Sequence, residues 1–283
     1  MRLVSDREPQ KREALAEQAV EKMRTLAEPG FLADEGGRPG KRGILYGVGV
    51  GPGDAELLTL KASRLINENR YIAYPGKDPK ETLCCRIVKP VMEHPEEKIY
   101  VSCHVPMTKD KKVLAESYDQ AASRIGEILD TGENVVFLTL GDPTVYATYM
   151  YVHERVKGAG YEARIVNGVP SFCAAAARLG ISLAERSQLL HVIPSSYDLG
   201  KVLSMPGTKV LMKSASKLKD VKEKLVEAGV QAYMVENCCM ENERVFMSAE
   251  EIDENAGYLS LIIVKDEAEG KGENSFRTGE DDR

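Results

Sequence analysis

Short apolar runs alternate with amphipathic stretches along most of the chain. Residues 43–50 are apolar and rich in glycine, and predict a buried strand running into a loop. Asp54 then suits a helix N-cap, with Leu57, Leu58, Ala62, Leu65 and Ile66 as the apolar face. Residues 71–74, before Pro75-Gly76, predict a second short strand and a turn. The clearest buried strand is 134–140. It ends at Gly141-Asp142-Pro143, which predicts a helix capped by Asp142, starting at Pro143 and stopped by Gly158. Residues 163–166 predict another strand. It leads through Asn167-Gly168-Val169-Pro170 into a helix from Ser171 to Gly180. Strand, glycine loop and helix thus recur, the sequence form of an α/β domain with a largely parallel sheet.

The texture changes after about residue 186. Residues 189–193, 209–212, 232–235 and 258–264 read as strands, with one clear helix at 216–228. This predicts a second α/β domain with a more mixed sheet. The expected organisation is an N-terminal domain over 43–160 and a C-terminal domain over 161–265. The crossing is expected near Gly158 to Ser171, and a ligand cleft between the two. Residues 1–42 form a polar extension in which Leu15, Ala19, Met23 and Leu26 share a helical face. Such a face fits either a docking helix or a weakly ordered extension, and the second is the simpler reading. Residues 266–283 read as a polar tail.

Composition narrows the function. Apolar residues make up 43% of the 283, enough for a sizeable core. A net charge of -6 argues against non-specific binding to nucleic-acid phosphates. No apolar run approaches the roughly 20 residues of a membrane-spanning helix. The N-terminus also lacks the apolar core of a secretory signal, so a cytoplasmic protein is expected. Cysteines 84, 85, 103, 173, 238 and 239 show no Cys-x-x-Cys spacing, and read as reduced, small apolar residues. The four histidines include no i,i+4 pair, so no metal site is expected.

Three glycine-containing bends carry the candidate chemistry. In Gly47-Val48-Gly49-Val50-Gly51-Pro52-Gly53-Asp54, neither register meets Gly-x-Gly-x-x-Gly, and no Gly-Lys-Ser/Thr follows. Asp54 at a helix start disfavours a phosphate there and favours a neutral or cationic ligand. Gly141-Asp142-Pro143 and Asn167-Gly168-Val169-Pro170-Ser171 also follow strands, at the edge where open α/β sheets bind ligands. Each has a plain structural alternative: a tight turn, or an N-cap worth about 1 kcal/mol. Together they predict a cradle.

Gly49-Val50-Gly51-Pro52-Gly53-Asp54, Leu140-Gly141-Asp142-Pro143 and Gly168-Val169-Pro170-Ser171, in this order and spacing, resemble the tetrapyrrole methylases, as do Leu211-Met212 and Val235-Glu236-Asn237-Cys238. The resemblance covers about residues 43–265. Within the family, Pro106-Met107-Thr108-Lys109-Asp110 and the long strings from Thr139 and Val169 are most similar to the C20-methyltransferases of precorrin-2 or cobalt-factor II. Asn167 departs from the family's usual proline. The resemblance implies a two-domain fold, a homodimer, and S-adenosylmethionine bound in the interdomain cleft. The contacts it implies are Pro52, Leu140, Gly141, Asp142, Val145, Pro170, Ser171, Met212 and Cys238, mostly through backbone.

Methyl transfer from a sulfonium needs alignment more than acid–base help, and alignment supplies on the order of 7–11 kcal/mol. The absence of a Ser-His-Asp or Cys-His arrangement agrees with this. The electron-rich C20 is expected to attack the methyl carbon directly and then lose a proton to a weak base. Asp142 is the first candidate for a chemical role, against a purely structural one. Tyr74, Tyr146 and Tyr149 are candidate walls for a flat macrocycle. Arg86, Lys109, Lys111, Lys112 and Arg178 are candidate partners for its carboxylates. Two alternatives stay open: a methylase acting elsewhere on a tetrapyrrole such as uroporphyrinogen III, and a non-catalytic tetrapyrrole- or nucleotide-binding protein. The expected macrocycle leans towards a cobalt-containing one.

Overall fold

Two five-stranded sheets organise the chain in a computed structural model that describes residues 42–194, 198–213 and 217–266. The first contains β1 (Ile44–Gly49), β2 (Tyr71–Tyr74), β3 (Ile99–Ser102), β4 (Val135–Thr139) and β5 (Glu162–Val166), in the order β3-β2-β4-β1-β5. All its pairings are parallel. Helices α1 (Leu60–Glu68) and α2 (Leu83–Val88) pack on one face, through Ala62, Leu65, Ile66, Cys84 and Val88. Helices α3 (Lys111–Asp130) and α4 (Tyr149–Gly158) pack on the other, through Ile125, Leu129, Tyr149 and Val152. With both faces covered, every residue of β1 is buried, which is why its sequence runs apolar without alternation.

The second sheet contains β6 (Leu190–Pro194), β7 (Thr208–Met212), β8 (Gln231–Glu236), β9 (Arg244–Phe246) and β10 (Ser260–Lys265), in the order β6-β7-β10-β8-β9. Only β6 and β7 pair in parallel, so this sheet is mixed, as expected. Helix α5 (Ser171–Leu179) covers one face with Ala174, Ala175 and Ala176. Helices α6 (Leu199–Leu203) and α7 (Leu218–Glu227) cover the other.

Several expectations change. β5 hydrogen-bonds to β1, so it belongs to the first sheet and not to a domain starting at residue 161. The chain passes to the second sheet in the link 167–170. The helix expected from Pro143 starts only at Tyr149. Tyr146 adopts a left-handed φ of 48°, which a continuing right-handed helix does not allow. Asp142 therefore does not cap α4. Helices α2, α3 and α6 and strands β3 and β9 were not anticipated. The N-terminal extension and the C-terminal tail lie outside the described residues, apart from Arg42 and Asp266.

Three glycines hold the bends together. A Cβ on Gly168 would lie 2.2 Å from the Gly141 oxygen, and one on Gly49 would lie 2.6 Å from both that oxygen and the Gly168 nitrogen. Backbone thus touches backbone where β4, β1 and β5 end. A Cβ on Gly158 would meet nothing within 4 Å. Gly168→Ala is expected to lower the unfolding free energy by about 1–3 kcal/mol. Gly158→Ala is expected to raise it by up to about 1 kcal/mol. Urea denaturation of both variants measures the contrast, and equal effects would contradict the packing.

Candidate active site

Strands β4, β1 and β5 are adjacent and parallel, so the bends that follow them leave the sheet at one edge. The first two bends bind each other: Gly141 N–H donates to the Gly51 oxygen at 2.8 Å, and Gly51 N–H to the Gly141 oxygen at 3.3 Å. The third is fastened by Asp142. One carboxylate oxygen accepts from the Thr144 N–H at 2.8 Å and hydroxyl at 2.5 Å. The other accepts from the Gly168 N–H at 3.0 Å and the Asn167 amide at 3.1 Å. A carboxylate has about four acceptor positions, so these donors use its capacity. Burial pushes the carboxyl up, but the bonds from Thr144, Asn167 and Gly168 outweigh it and hold it below the ordinary 3.8. Asp142 is 5% exposed. Its position is that of an ionised staple between two bends. Asn167, the departure from the family pattern, supplies one of the fastening bonds.

The bends open onto a cavity of about 750 Å³. All nine positions implied by the resemblance line it: Pro52, Leu140, Gly141, Asp142, Val145, Pro170, Ser171, Met212 and Cys238. The second sheet closes the far side with the ends of β7 and β8 and the start of β10, including Val235 and Leu261. The cavity therefore lies between the two sheets. Its size falls within the roughly 300–1,000 Å³ of small-molecule sites. The segment 105–109 forms a further wall. Gly141 lines it with a φ of 68°, and a Cβ there would meet nothing within 4 Å, so its backbone is open to an approaching ligand.

The tyrosines divide. Tyr146 lines the cavity, half-exposed, and its hydroxyl donates to the Val192 oxygen at 2.9 Å, joining the bend after β4 to β6. Tyr149 lines the floor but is a core residue. Its hydroxyl is 2.9 Å from His153 Nδ1, its ring fills the space beside Gly47, and burial raises its pKa. Tyr74 packs in the core with its hydroxyl on the Lys77 oxygen, away from the cavity lining. Of the basic candidates, Lys109 lines the cavity, and Arg86, Lys111, Lys112 and Arg178 do not. Arg178 pairs with Glu243. Lys213, which the sequence reading passed over, lines the cavity with its ammonium 5.9 Å from the Tyr146 ring centre. Cys238 is buried, and burial, followed by Cys239, pushes its thiol up to about 12.

Thr139 also went unnoticed. It lines the cavity, is 6% exposed, and its hydroxyl has no hydrogen-bond partner among the described residues. No residue-level signal inside an apolar strand marks such a group. A ligand that hydrogen-bonds here recovers the roughly 1–3 kcal/mol that a buried orphan costs.

Residues 44–253 match the family model described as Tetrapyrrole (Corrin/Porphyrin) Methylases. A protein of Methanocaldococcus jannaschii named probable cobalt-precorrin-2 C(20)-methyltransferase is 36% identical over 231 residues, covering 78% of this chain and 95% of its own. A Sinorhizobium precorrin-2 C(20)-methyltransferase is 29% identical, covering 78% of this chain and 95% of its own. Among solved structures, uroporphyrin-III C-methyltransferase of Thermus thermophilus complexed with S-adenyl homocysteine has a TM-score of 0.57 at 24% identity, covering 79% of this chain and 97% of that one.

Thr139→Val is expected to stabilise the ligand-free protein by about 1 kcal/mol, because it removes the orphaned hydroxyl without changing the shape. The same change is expected to weaken binding of the cavity's ligand. Thermal melts with and without ligand measure both, and a destabilised free protein would show that the hydroxyl has a structural partner.

Proposed function

The chain belongs to the tetrapyrrole (corrin/porphyrin) methylases, and from that premise we propose that it transfers a methyl group from S-adenosylmethionine to C20 of a precorrin-2-type macrocycle in corrin biosynthesis. The observation that carries this reading is that nine positions scattered over residues 52–238 line one cavity. The cavity fits the donor in chemistry as well as size. It offers open backbone at Gly141, apolar side chains at Leu140, Val145 and Met212, and the unpartnered Thr139 hydroxyl. Asp142 places negative charge at the rim, which suits a cationic sulfonium ligand.

When bound, S-adenosylmethionine supplies a methyl group already activated for transfer to carbon. The chain's own work is alignment. The bend at 140–145 and the bend at 167–171 hold one side of the ligand, and Met212 and Cys238 of the second sheet hold the other. Apolar walls, including Val235, Phe172 and Leu261, exclude water from the reacting atoms. Lys109 and Lys213 are the basic side chains lining the cavity among the described residues, and in this reading they take macrocycle carboxylates. Asp142 acts as a positioning residue, since its oxygens are committed to Thr144, Asn167 and Gly168. The 36% identical relative is named for the cobalt-bearing substrate, which favours the metal-loaded macrocycle here.

The same reading takes the protein as a cytoplasmic homodimer. All six cysteines are free, in keeping with a reducing compartment. Among the described residues no helix is long and apolar enough to cross a membrane. Light scattering is expected to give twice the 31.2 kDa chain mass, and the single-chain value removes the dimer from the proposal.

The test of the function is transfer itself. The purified chain, methyl-labelled S-adenosylmethionine, and precorrin-2 with or without cobalt are incubated together. Label is expected on C20, with faster turnover of the cobalt-loaded ring. Label at another ring position would make the chain a sibling methylase, and tight binding without transfer would make it a carrier.

A further inference from the structure

The turn that follows β8 brings two sequence-adjacent thiols together. Met240 N–H donates to the Asn237 oxygen at 3.0 Å, closing the turn. Asn237 and Cys239 take left-handed φ values of 50° and 64°, a backbone path that costs non-glycine residues on the order of 1–3 kcal/mol each. This path brings Cys238 Sγ and Cys239 Sγ to 3.6 Å. A carboxylate oxygen of Glu243 joins them, so that the three ligand atoms all lie within 4.8 Å of one another. Glu243 is held in place by Arg178 and by the Cys239 N–H, which donates to it at 2.8 Å. The opposite bend supports the turn from below. A Cβ on Gly53 would lie 2.8 Å from the Cys238 oxygen and 3.0 Å from the Cys239 oxygen, so only glycine lets the loops pack this closely.

We propose that Cys238, Cys239 and Glu243 form a binding site for a thiophilic divalent cation of the zinc class, set in the wall of the cavity. Tetrahedral zinc with thiolate bonds of about 2.3 Å needs its sulfurs roughly 3.8 Å apart. The observed 3.6 Å asks little movement of either side chain. Binding exchanges water ligands of the ion for two metal–sulfur bonds and one metal–oxygen bond, while the two S–H bonds break and their protons leave to solvent. No oxidant or reductant takes part. Three protein ligands leave a fourth position for water or another donor. Each Glu243 oxygen keeps a lone pair beyond its existing bond. The usual search for Cys-x-x-Cys spacing passes over this site because the thiols are adjacent in sequence. Cys238 also lines the cavity, so occupancy by the ion and by the methyl donor are linked, a consequence that rests on the function proposed above.

The test uses the full chain, reduced and stripped with a chelator. Zn²⁺ is titrated against a chromophoric competitor, and Cd²⁺ is followed by its thiolate charge-transfer absorption. One equivalent is expected to bind. Loss of even an outer-shell partner costs roughly 10–100-fold in metal affinity, so Cys239→Ser is expected to weaken binding by at least about 100-fold and Glu243→Gln by about tenfold. Cys173→Ser, at an exposed thiol outside the cluster, is expected to bind as the unaltered chain does. Circular dichroism checks that each variant folds, and Glu243→Gln keeps the side-chain volume should the serine variant fail. Unchanged affinity in folded Cys239→Ser or Glu243→Gln overturns the site, as does binding that follows Cys173. Zinc uptake that is sensitive to Cys239 but indifferent to S-adenosylhomocysteine supports the site and overturns only the link to the donor.

Discussion

One buried carboxylate ties the ligand-facing edge together. Asp142 accepts from Thr144 on its own bend and from Asn167 and Gly168 on a bend 25 residues further along the chain. Below it, the backbones of Gly49, Gly141 and Gly168 meet, at distances that leave no room for a side chain on Gly49 or Gly168. These two features turn three separate loops into one rigid rim. Loops usually hold binding residues at some cost in precision. Here the adjacent parallel strands β4, β1 and β5 fix where the loops start, and the staple fixes where they go. The ionised state of Asp142 follows from the same bonds, because each donor favours the charged form.

The chemistry that such a rim supports is one of placement. Its lining is rich in backbone and in small or apolar side chains, with few groups able to move a proton. That composition suits a reaction whose leaving group is already activated, where orientation supplies most of the rate. The second sheet completes the enclosure. Tyr146 reaches across to Val192, and Met212, Val235 and Cys238 stand opposite the rim. The bend after β4 is thus held from both sides, by Asp142 towards β5 and by Tyr146 towards β6.

Much of this was legible in the sequence where burial is two-sided or a cap is explicit. β1 and β4 read as strands because helices cover both faces and leave no polar alternation. α5 was bounded by Pro170 and by Gly180, which indeed takes the left-handed C-cap conformation. α3 was missed although Asp110 caps it and Ala121, Ile125 and Leu129 form a stripe. The late start of α4 depends on a left-handed tyrosine, which carries no sequence signal. The sheet to which β5 belongs is a matter of long-range pairing, beyond any local pattern. At the site, the nine lining positions came from family likeness and not from side-chain chemistry. Thr139 and Lys213 needed the structure, since neither type marks a ligand by itself.

The Asp142 staple shapes the pocket that the proposed function assigns to the methyl donor. Calorimetric titration of S-adenosylhomocysteine into the unaltered chain and into Asp142→Asn tests it most directly. An asparagine amide has one oxygen where the carboxylate has two, so it must turn an N–H either towards the Thr144 donors or towards those of Asn167 and Gly168, and the fastening between the bends is broken on one side. One ligand per unaltered chain is expected, and for the variant a loss of at least about tenfold in affinity, or 1.4 kcal/mol, with an unchanged circular dichroism spectrum. A folded variant that binds as tightly as the unaltered chain would contradict it.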